Sequence, residues 1–347
     1  MRQTKHATLA RMTPESAKGS FVISLDFELM WGMFDKVSHE QYGANLDGVH
    51  VVVPRLLTLF VEHGINATWA TVGILLCRDT ESLQAAVANV ADQPDFVRSE
   101  YSAYKHLALG QTVTHPTHYF APELAALICA TPSQEFASHT FSHLYCKEQL
   151  VDEITEEAVI QSDTNAMALA ASPFNTALTS IVFPRNQWSQ QALWVLARAG
   201  YTAFRGTEKH FLYSAKSDVA QRHPLLRLMR IADAYFNISG FHTYTIPERQ
   251  GLNMPLTNIP ASRFLRPYSK RLALFEGLRL RRIKRAMTHA AKGGEVYHLW
   301  WHPHNFGRDI EKNIACLTKI LDHFKTLQKD YDMESVTMRT LATRVRE

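Results

Sequence analysis

Cysteine is scarce in this chain. Cys77, Cys129, Cys146 and Cys316 lie far apart with no Cys-x-x-Cys. That excludes a disulfide-dense scaffold and a zinc-finger core, and it points to a reducing compartment. A strong charge of either sign is also missing. The net charge is +4, so only the distribution of charge can point to a partner. No apolar run approaches the ~18 residues of a membrane-spanning helix. The opening stretch, MRQTKHATLARMTPESAKGS, is basic and polar and lacks the apolar region of a signal peptide. Repeats and low-complexity tracts are absent as well. The expectation is a cytoplasmic globular protein, with any membrane contact peripheral.

What is present is a large amount of core-forming sequence. Of 347 residues, 46% are hydrophobic and 20% charged, enough for one large α/β domain or two ordinary ones. Residues 1–19 read as a loose tail. SFVISLDFELMW predicts a strand over about 20–27. In VVVPRLLTLFVEHG, Leu56, Leu57, Phe60 and Val61 form one stripe, Pro54 suits a first helical turn, and Gly64 suits the C-terminal cap. INATWATVG reads as the next strand. Further strands are predicted at 134–138, 179–184, YTAFRG, GEVYHLWWH and ESVTM. Helices are predicted at 81–92, 122–130, along the stripe Leu150, Val151, Ile154 and Ala158, over QQALWVLARAG, and along Ile314, Leu317, Leu321 and Phe324. Strands alternating with helices predict a parallel sheet or barrel. Residues 77–120 read as an insertion and 206–292 as an appended region within a single catalytic domain spanning 20–347.

Three stretches could carry chemistry. In SLDFELMWG, Asp26 and Glu28 are two apart on a strand and share a face, where two buried carboxylates are costly unless paired or metal-bound. A strand end running into solvent explains them about as well. ASHTFSHLYC sets His139 and His143 four apart. About one such pair is expected by chance here, so the spacing needs support from elsewhere. Imidazole with carboxylate is a normal ligand set for zinc or a similar ion. YHLWWHPHNFG places three histidines, His298, His302 and His304, at the end of an apolar strand, where α/β sites are built. His298 reads as a hydrogen-bonded core histidine. His115 and His118 read as loop histidines that could reach over the site.

Asp-x-Glu after the first strand, His-x-x-x-His in the middle and a late strand ending in His-Pro, in that order, resemble the polysaccharide deacetylases. These are the NodB-homology enzymes of carbohydrate esterase family 4, and INATWATVG resembles the family's second strand. The resemblance covers residues 20–76, 134–204 and 294–340. It implies a distorted (β/α) barrel of about seven strands, with insertions at about 77–120 and 206–292. It implies one divalent ion, most plausibly Zn2+, held by Glu28, His139 and His143, with Asp26 as base and His302 as general acid. The third motif of the family, Arg-x-Pro, is altered here to FPRNQ, which makes Arg185 the candidate that orients the base. No Asp-Trp motif of the family is found, so what holds His302 in its tautomer is open. Trp31, His304 and Asn305 are candidate substrate contacts. The implied activity is removal of an N-acetyl or other N-acyl group from a sugar. An amidohydrolase acting on a small cyclic or linear amide, and an inactive carbohydrate-binding protein, are the alternatives.

One further feature is the segment 263–292. It carries ten cations (Arg263, Arg266, Lys270, Arg271, Arg279, Arg281, Arg282, Lys284, Arg285, Lys292) against one acid, Glu276. Leu272, Phe275, Leu278 and Leu280 run among them. It reads equally as a solvated helix with internally paired arginines and as a helix on an anionic membrane, which would suit a lipid-linked sugar substrate. Nucleic acid is not expected, because the rest of the chain is near neutral.

Overall fold

The structure is a computed structural model that describes residues 18–151, 155–208, 210–213, 224–245 and 254–346. The predicted tail falls almost wholly outside them, as does Ile154. Strand β1 (Ser20–Phe27) is buried along its whole length, which is how a strand covered on both faces of a parallel sheet reads. It pairs in parallel with β2 (Ala67–Thr71) and β8 (Val296–Trp301). From β2 the sheet runs through β3 (Glu135–Ser138), β4 (Ser180–Ile181), β5 (Ala203–Phe204) and β6 (Thr257–Asn258). On the other side, β8 pairs with β7 (Arg263–Phe264), giving the order β6-β5-β4-β3-β2-β1-β8-β7. A ninth strand, β9 (Glu334–Ser335), pairs with the start of β1.

β6 and β7 are separated only by residues 259–262, yet they bond to opposite edges of the sheet. Ala261 N donates to the Gly206 carbonyl and Ser262 N to the His298 carbonyl. This short piece of chain therefore draws the two edges together, and the sheet curls into the distorted (β/α) barrel expected from the sequence. It also corrects the reading of 206–292 as an appended region. β6 and β7 belong to the sheet, and the helix Glu276–Gly293 is the connection that leads into β8.

Other boundaries moved for physical reasons. The helix Val49–His63 begins before Pro54, which lies inside it. Together with His39–Asp47 it makes a run long and apolar enough, by length and composition, to cross a bilayer, contrary to the expectation from sequence. Val52, Val53, Leu56 and Phe60 of that run are buried in the main core, so it serves here as a core helix. Leu150 does not begin a helix. It bridges Phe96 antiparallel, and the helix starts at Glu156 with Thr155 Oγ1 capping Ala158 N. Residues 77–120 hold the helix Thr80–Ala88, capped by Asp79 and Ser82, and several short turns.

The helix Glu276–Gly293 buries Ile283, Ala286, Met287 and Ala290 in the main core. Its apolar stripe thus faces protein. Arg279 and Arg282 lie on that buried face. Arg279 bonds Glu276 and the Arg266 carbonyl, and Arg282 shares Asp233 with Arg263.

Candidate active site

The C-terminal ends of the parallel strands gather the residues singled out above. Asp26 is the penultimate residue of β1 and Glu28 follows its end. His139 follows β3, Arg205 follows β5, and His302 follows β8. Glu28 lies among four imidazoles. Its Oε2 is 3.1 Å from Nε2 of both His139 and His143. Its Oε1 is 3.4 Å from Nε2 of His302 and 3.9 Å from Nε2 of His304. Burial pushes the Glu28 carboxyl up, but His302, His139 and His143 outweigh it and hold it well below its ordinary range. Gly32 leaves the space Glu28 occupies: a Cβ there would stand 2.0 Å from the Glu28 carboxyl carbon.

The loop carrying the two histidines is held in an unusual shape. Thr140 and His143 both have positive φ, 63° and 55°, a conformation that persists only where surroundings impose it. Buried Asp163 imposes it here by accepting from the backbone N–H of Phe141 (2.7 Å) and Ser142 (3.0 Å) and from the Ser142 hydroxyl (2.6 Å). Thr140 Oγ1 accepts from Leu144 N at 2.8 Å.

This set fits a divalent cation. His139 Nδ1 donates to the Val182 carbonyl at 2.7 Å. As a neutral ring it then directs the Nε2 lone pair at a carboxylate oxygen, an arrangement that a cation between them would relieve. Burial pushes His143 down to about 4, so it is a neutral donor at neutral pH. Glu28, His139 and His143 each offer a buried ligand atom, all within 4.8 Å of one another, and together they form the mixed N/O set that zinc accepts. Glu28, His302 and His304 form a second such group on the other Glu28 oxygen.

Asp26 is held by a residue that the sequence reading missed. Arg205 is fully buried and donates from Nη1 and Nη2 to the two Asp26 oxygens at 2.6 and 2.7 Å. Its Nη1 also donates to Ser24 Oγ at 3.0 Å. Asn186 Oδ1 accepts from Nη2 at 3.2 Å, and the guanidinium lies 4.1 Å over the Trp300 ring. Burial pushes the Asp26 carboxyl up, but Arg205, His139 and His302 outweigh it and hold it below its ordinary value. His298 supports the same chain: its Nε2 is 2.8 Å from Ser24 Oγ and its Nδ1 is 3.2 Å from the Pro260 carbonyl. It is the hydrogen-bonded core histidine expected.

Arg185 is not the orienter. It sits at φ 53° after Pro184, pairs with Asp35 and stacks on Tyr145 at 3.9 Å. Trp31 cannot be a substrate contact, because it is fully buried, with Nε1 donating to the Tyr119 carbonyl at 2.8 Å and its ring against Tyr119. His304 is also buried, with neither ring nitrogen hydrogen-bonded, and faces Glu28 instead of an open surface. Asn305 supplies the answer left open about His302. Its Oδ1 lies 3.2 Å from His302 Nδ1, and its Nδ2 donates to Tyr42 Oη at 3.1 Å. That fixes the proton on His302 Nδ1 in the neutral ring and turns Nε2 towards Asp26, 3.6 Å away. His115 and His118 pack on His39 and form a separate group from those around Glu28.

Beside His302 opens a cavity of about 250 Å³ lined by Asn186, Trp300, Phe264 and several arginines. It is smaller than the ~300–1,000 Å³ typical of ligand pockets, so it suits one small group better than a length of polymer.

No family model matches the chain, and no curated protein matches it. Solved structures do match in fold. A protein of Mycobacterium smegmatis assigned as a polysaccharide deacetylase superposes with a TM-score of 0.56 at 15% identity, over 99% of this chain and 95% of that one. A protein of Pseudomonas aeruginosa PAO1 with the same assignment gives 0.55 at 12%, over 95% and 92%. The allantoinase Puue gives 0.53 at 12%, over 95% and 91%. At these identities the likeness establishes the fold: this chain has the architecture of the NodB-type deacetylases expected from its motifs.

Proposed function

We propose that this chain is a metal-dependent hydrolase that removes an N-acetyl or other N-acyl group from a sugar. The observation that carries the reading is the single cluster formed by Asp26, Glu28, His139, His143 and His302, in which Arg205 holds Asp26, the Val182 carbonyl holds His139, Asn305 holds His302, and His302 lines a cavity. Glu28, His139 and His143 would hold one divalent ion, and their mixed nitrogen and oxygen donors suit zinc. When bound, such an ion supplies a Lewis acid that promotes ionisation of water and stabilises a developing oxyanion. Asp26, kept ionised by Arg205, takes a proton from the water whose oxygen bonds to the acyl carbon. His302 in its protonated form delivers a proton to the nitrogen as the carbon–nitrogen bond breaks. The products are a carboxylic acid and a free amine.

The test is acetate release from a panel of N-acetylated nucleotide sugars, lipid-linked sugars and chitooligomers, with a small cyclic amide alongside, before and after chelation. About one divalent ion per chain is expected, with His139→Ala losing it and the activity together. A chain that binds no divalent ion, or that cleaves its substrate equally well after complete metal removal, would end the reading. Cleavage of the cyclic amide alone would move the substrate from sugar to small amide.

The same reading includes a cytoplasmic protein that meets an anionic membrane. Its support is now restricted to part of the basic segment. Arg271, Leu274, Phe275, Leu278, Arg281 and Arg285 are exposed, with Leu274 95% accessible, whereas Arg279 and Arg282 are internal. Each cation at a lipid surface contributes about 1 kcal/mol. Sedimentation with anionic liposomes at low salt should therefore occur and should be lost in Arg271→Glu/Arg281→Glu/Arg285→Glu. A protein that stays in the supernatant under those conditions has no such surface.

A further inference from the structure

The cavity beside His302 is cationic in a way that the hydrolysis of a neutral amide does not need. Arg185, Arg230, Arg263 and Arg266 line it, against one acid, Glu208. Two of the four have internal counter-ions: Arg185 pairs with Asp35, and Arg263 donates to Asp233 at 2.7 Å. Asp233 is also shared with Arg282, so it offers little to anything further.

The other two arginines differ. Arg230 donates from Nε to the Leu212 carbonyl at 2.6 Å, which neutralises nothing. Arg266 is half-buried. Burial lowers its pKa, and the charged side chains that add to that effect are Arg279 and Arg227, both cations. No carboxylate pairs with Arg230 or Arg266 among the described residues. Half-buried guanidinium groups without a counter-ion are costly, and the usual remedy is an oxyanion that accepts from several of them. Glu208 does not fill that role: its carboxylate accepts from Trp300 Nε1 at 3.5 Å and forms no ion pair with Arg230 or Arg266 among the described residues. Trp300 and the Tyr213 hydroxyl complete the wall.

We propose that this cavity binds a phosphate group carried by the substrate, so that the acylated sugar is a sugar phosphate ester. The inference rests on the deacylase reading for what the substrate's other end does. His302 and Asn186 connect the two ends: both line the cavity, His302 is within 3.6 Å of Asp26 and Asn186 is bonded to Arg205. A phosphate on Arg230 and Arg266 therefore lies beside the reacting centre, in a volume of about 250 Å³ that accommodates it. The phosphate could belong to a free sugar phosphate, a nucleotide sugar or a lipid-linked sugar. The helix Pro224–Phe236, which carries Arg230, presents Leu225 and Leu228 to the outside, which favours the lipid.

Two measurements test it. The first compares kcat/KM for N-acetylglucosamine, its 1-phosphate, a nucleotide diphosphate ester and a polyprenyl phosphate ester. The phosphorylated substrates are expected to be preferred at least ~10-fold over the neutral sugar. Arg230→Gln and Arg266→Gln should remove most of that preference by lowering kcat/KM for the phosphorylated substrates. The ranking of the three esters identifies the source of the phosphate. The second is calorimetric titration of inorganic phosphate into the wild type and both variants. It needs no turnover, and Arg266→Gln should weaken binding by a similar factor. Phosphate binding that follows the arginines while no acyl sugar is cleaved would leave the anion site standing and sink the deacylase reading. Cleavage of neutral and phosphorylated sugars at equal rates, or phosphate affinity untouched by both substitutions, would overturn the anion site alone.

Discussion

Asp26→Asn is expected to lower kcat by about 10²–10⁴-fold, the range that a positioned general base contributes, while the divalent ion stays bound at wild-type stoichiometry. The separation follows from the geometry. The proposed donors for the ion are Glu28 and the two histidines, and Asp26 is no member of that group. An amide in place of the carboxylate keeps one oxygen to accept from Arg205 but has no basic site for a proton. The same substitution leaves Arg205 without its counter-charge. Ser24, Asn186 and the Trp300 face still surround the guanidinium, so the fold should survive with reduced stability. Metal analysis, a melting curve and a single-turnover assay on one preparation check all three statements. Near-normal turnover by Asp26→Asn would show that another group takes the proton.

How far this centre could be read in the sequence varied with the length of the element carrying each residue. β1 and β8 are six to eight residues long and apolar, so Asp26, Glu28 and His302 stood out as polar groups at strand ends. β4, β5, β6 and β7 are two residues each. Two-residue strands have no periodicity, and the closure of the sheet by β6 and β7 was illegible for that reason. Arg205 was missed although it lay within the predicted strand YTAFRG, because a single cation in so short a run gives no sign of which group it meets. The available signal was its position, since the run YTAFR ends in a cation just as SLDFE ends in an acid. Arg185 drew attention through its neighbour Pro184, but its left-handed backbone turns the side chain to Asp35 and Tyr145. Trp31 follows two acids in sequence, yet the helical turn Leu29–Gly32 sends its ring into the core. In the helix Glu276–Gly293 the buried positions Arg279, Arg282, Ile283, Ala286, Met287 and Ala290 follow ordinary helical spacing. Two cations occupy that face because Glu276, one turn away, and Asp233 and the Arg266 carbonyl meet them, and sequence spacing cannot show a partner as distant as Asp233.

The remaining large effect belongs to Arg205. Arg205→Ala leaves the buried Asp26 carboxylate without its guanidinium partner, and removing one partner of a buried pair costs roughly 3–5 kcal/mol. That is enough to unfold a marginal domain, so the informative change is Arg205→Lys. Lysine keeps one charge but not the planar fork that meets both Asp26 oxygens, and it cannot also reach Ser24 and Asn186 with the same geometry. Arg205→Lys should therefore fold, retain the ion and lose about 10²-fold in kcat, because a displaced base is a poor base. Arg185→Lys should change kcat far less, since Arg185 touches Asp35 and not Asp26. A double-mutant cycle separates orientation of the base from a general weakening of the fold. If Arg205 acts through Asp26, then Arg205→Lys placed in the Asp26→Asn background costs almost no further activity, and the two losses do not add. If the losses multiply instead, Arg205 contributes to catalysis independently of Asp26, and its role as the residue that positions the base is wrong.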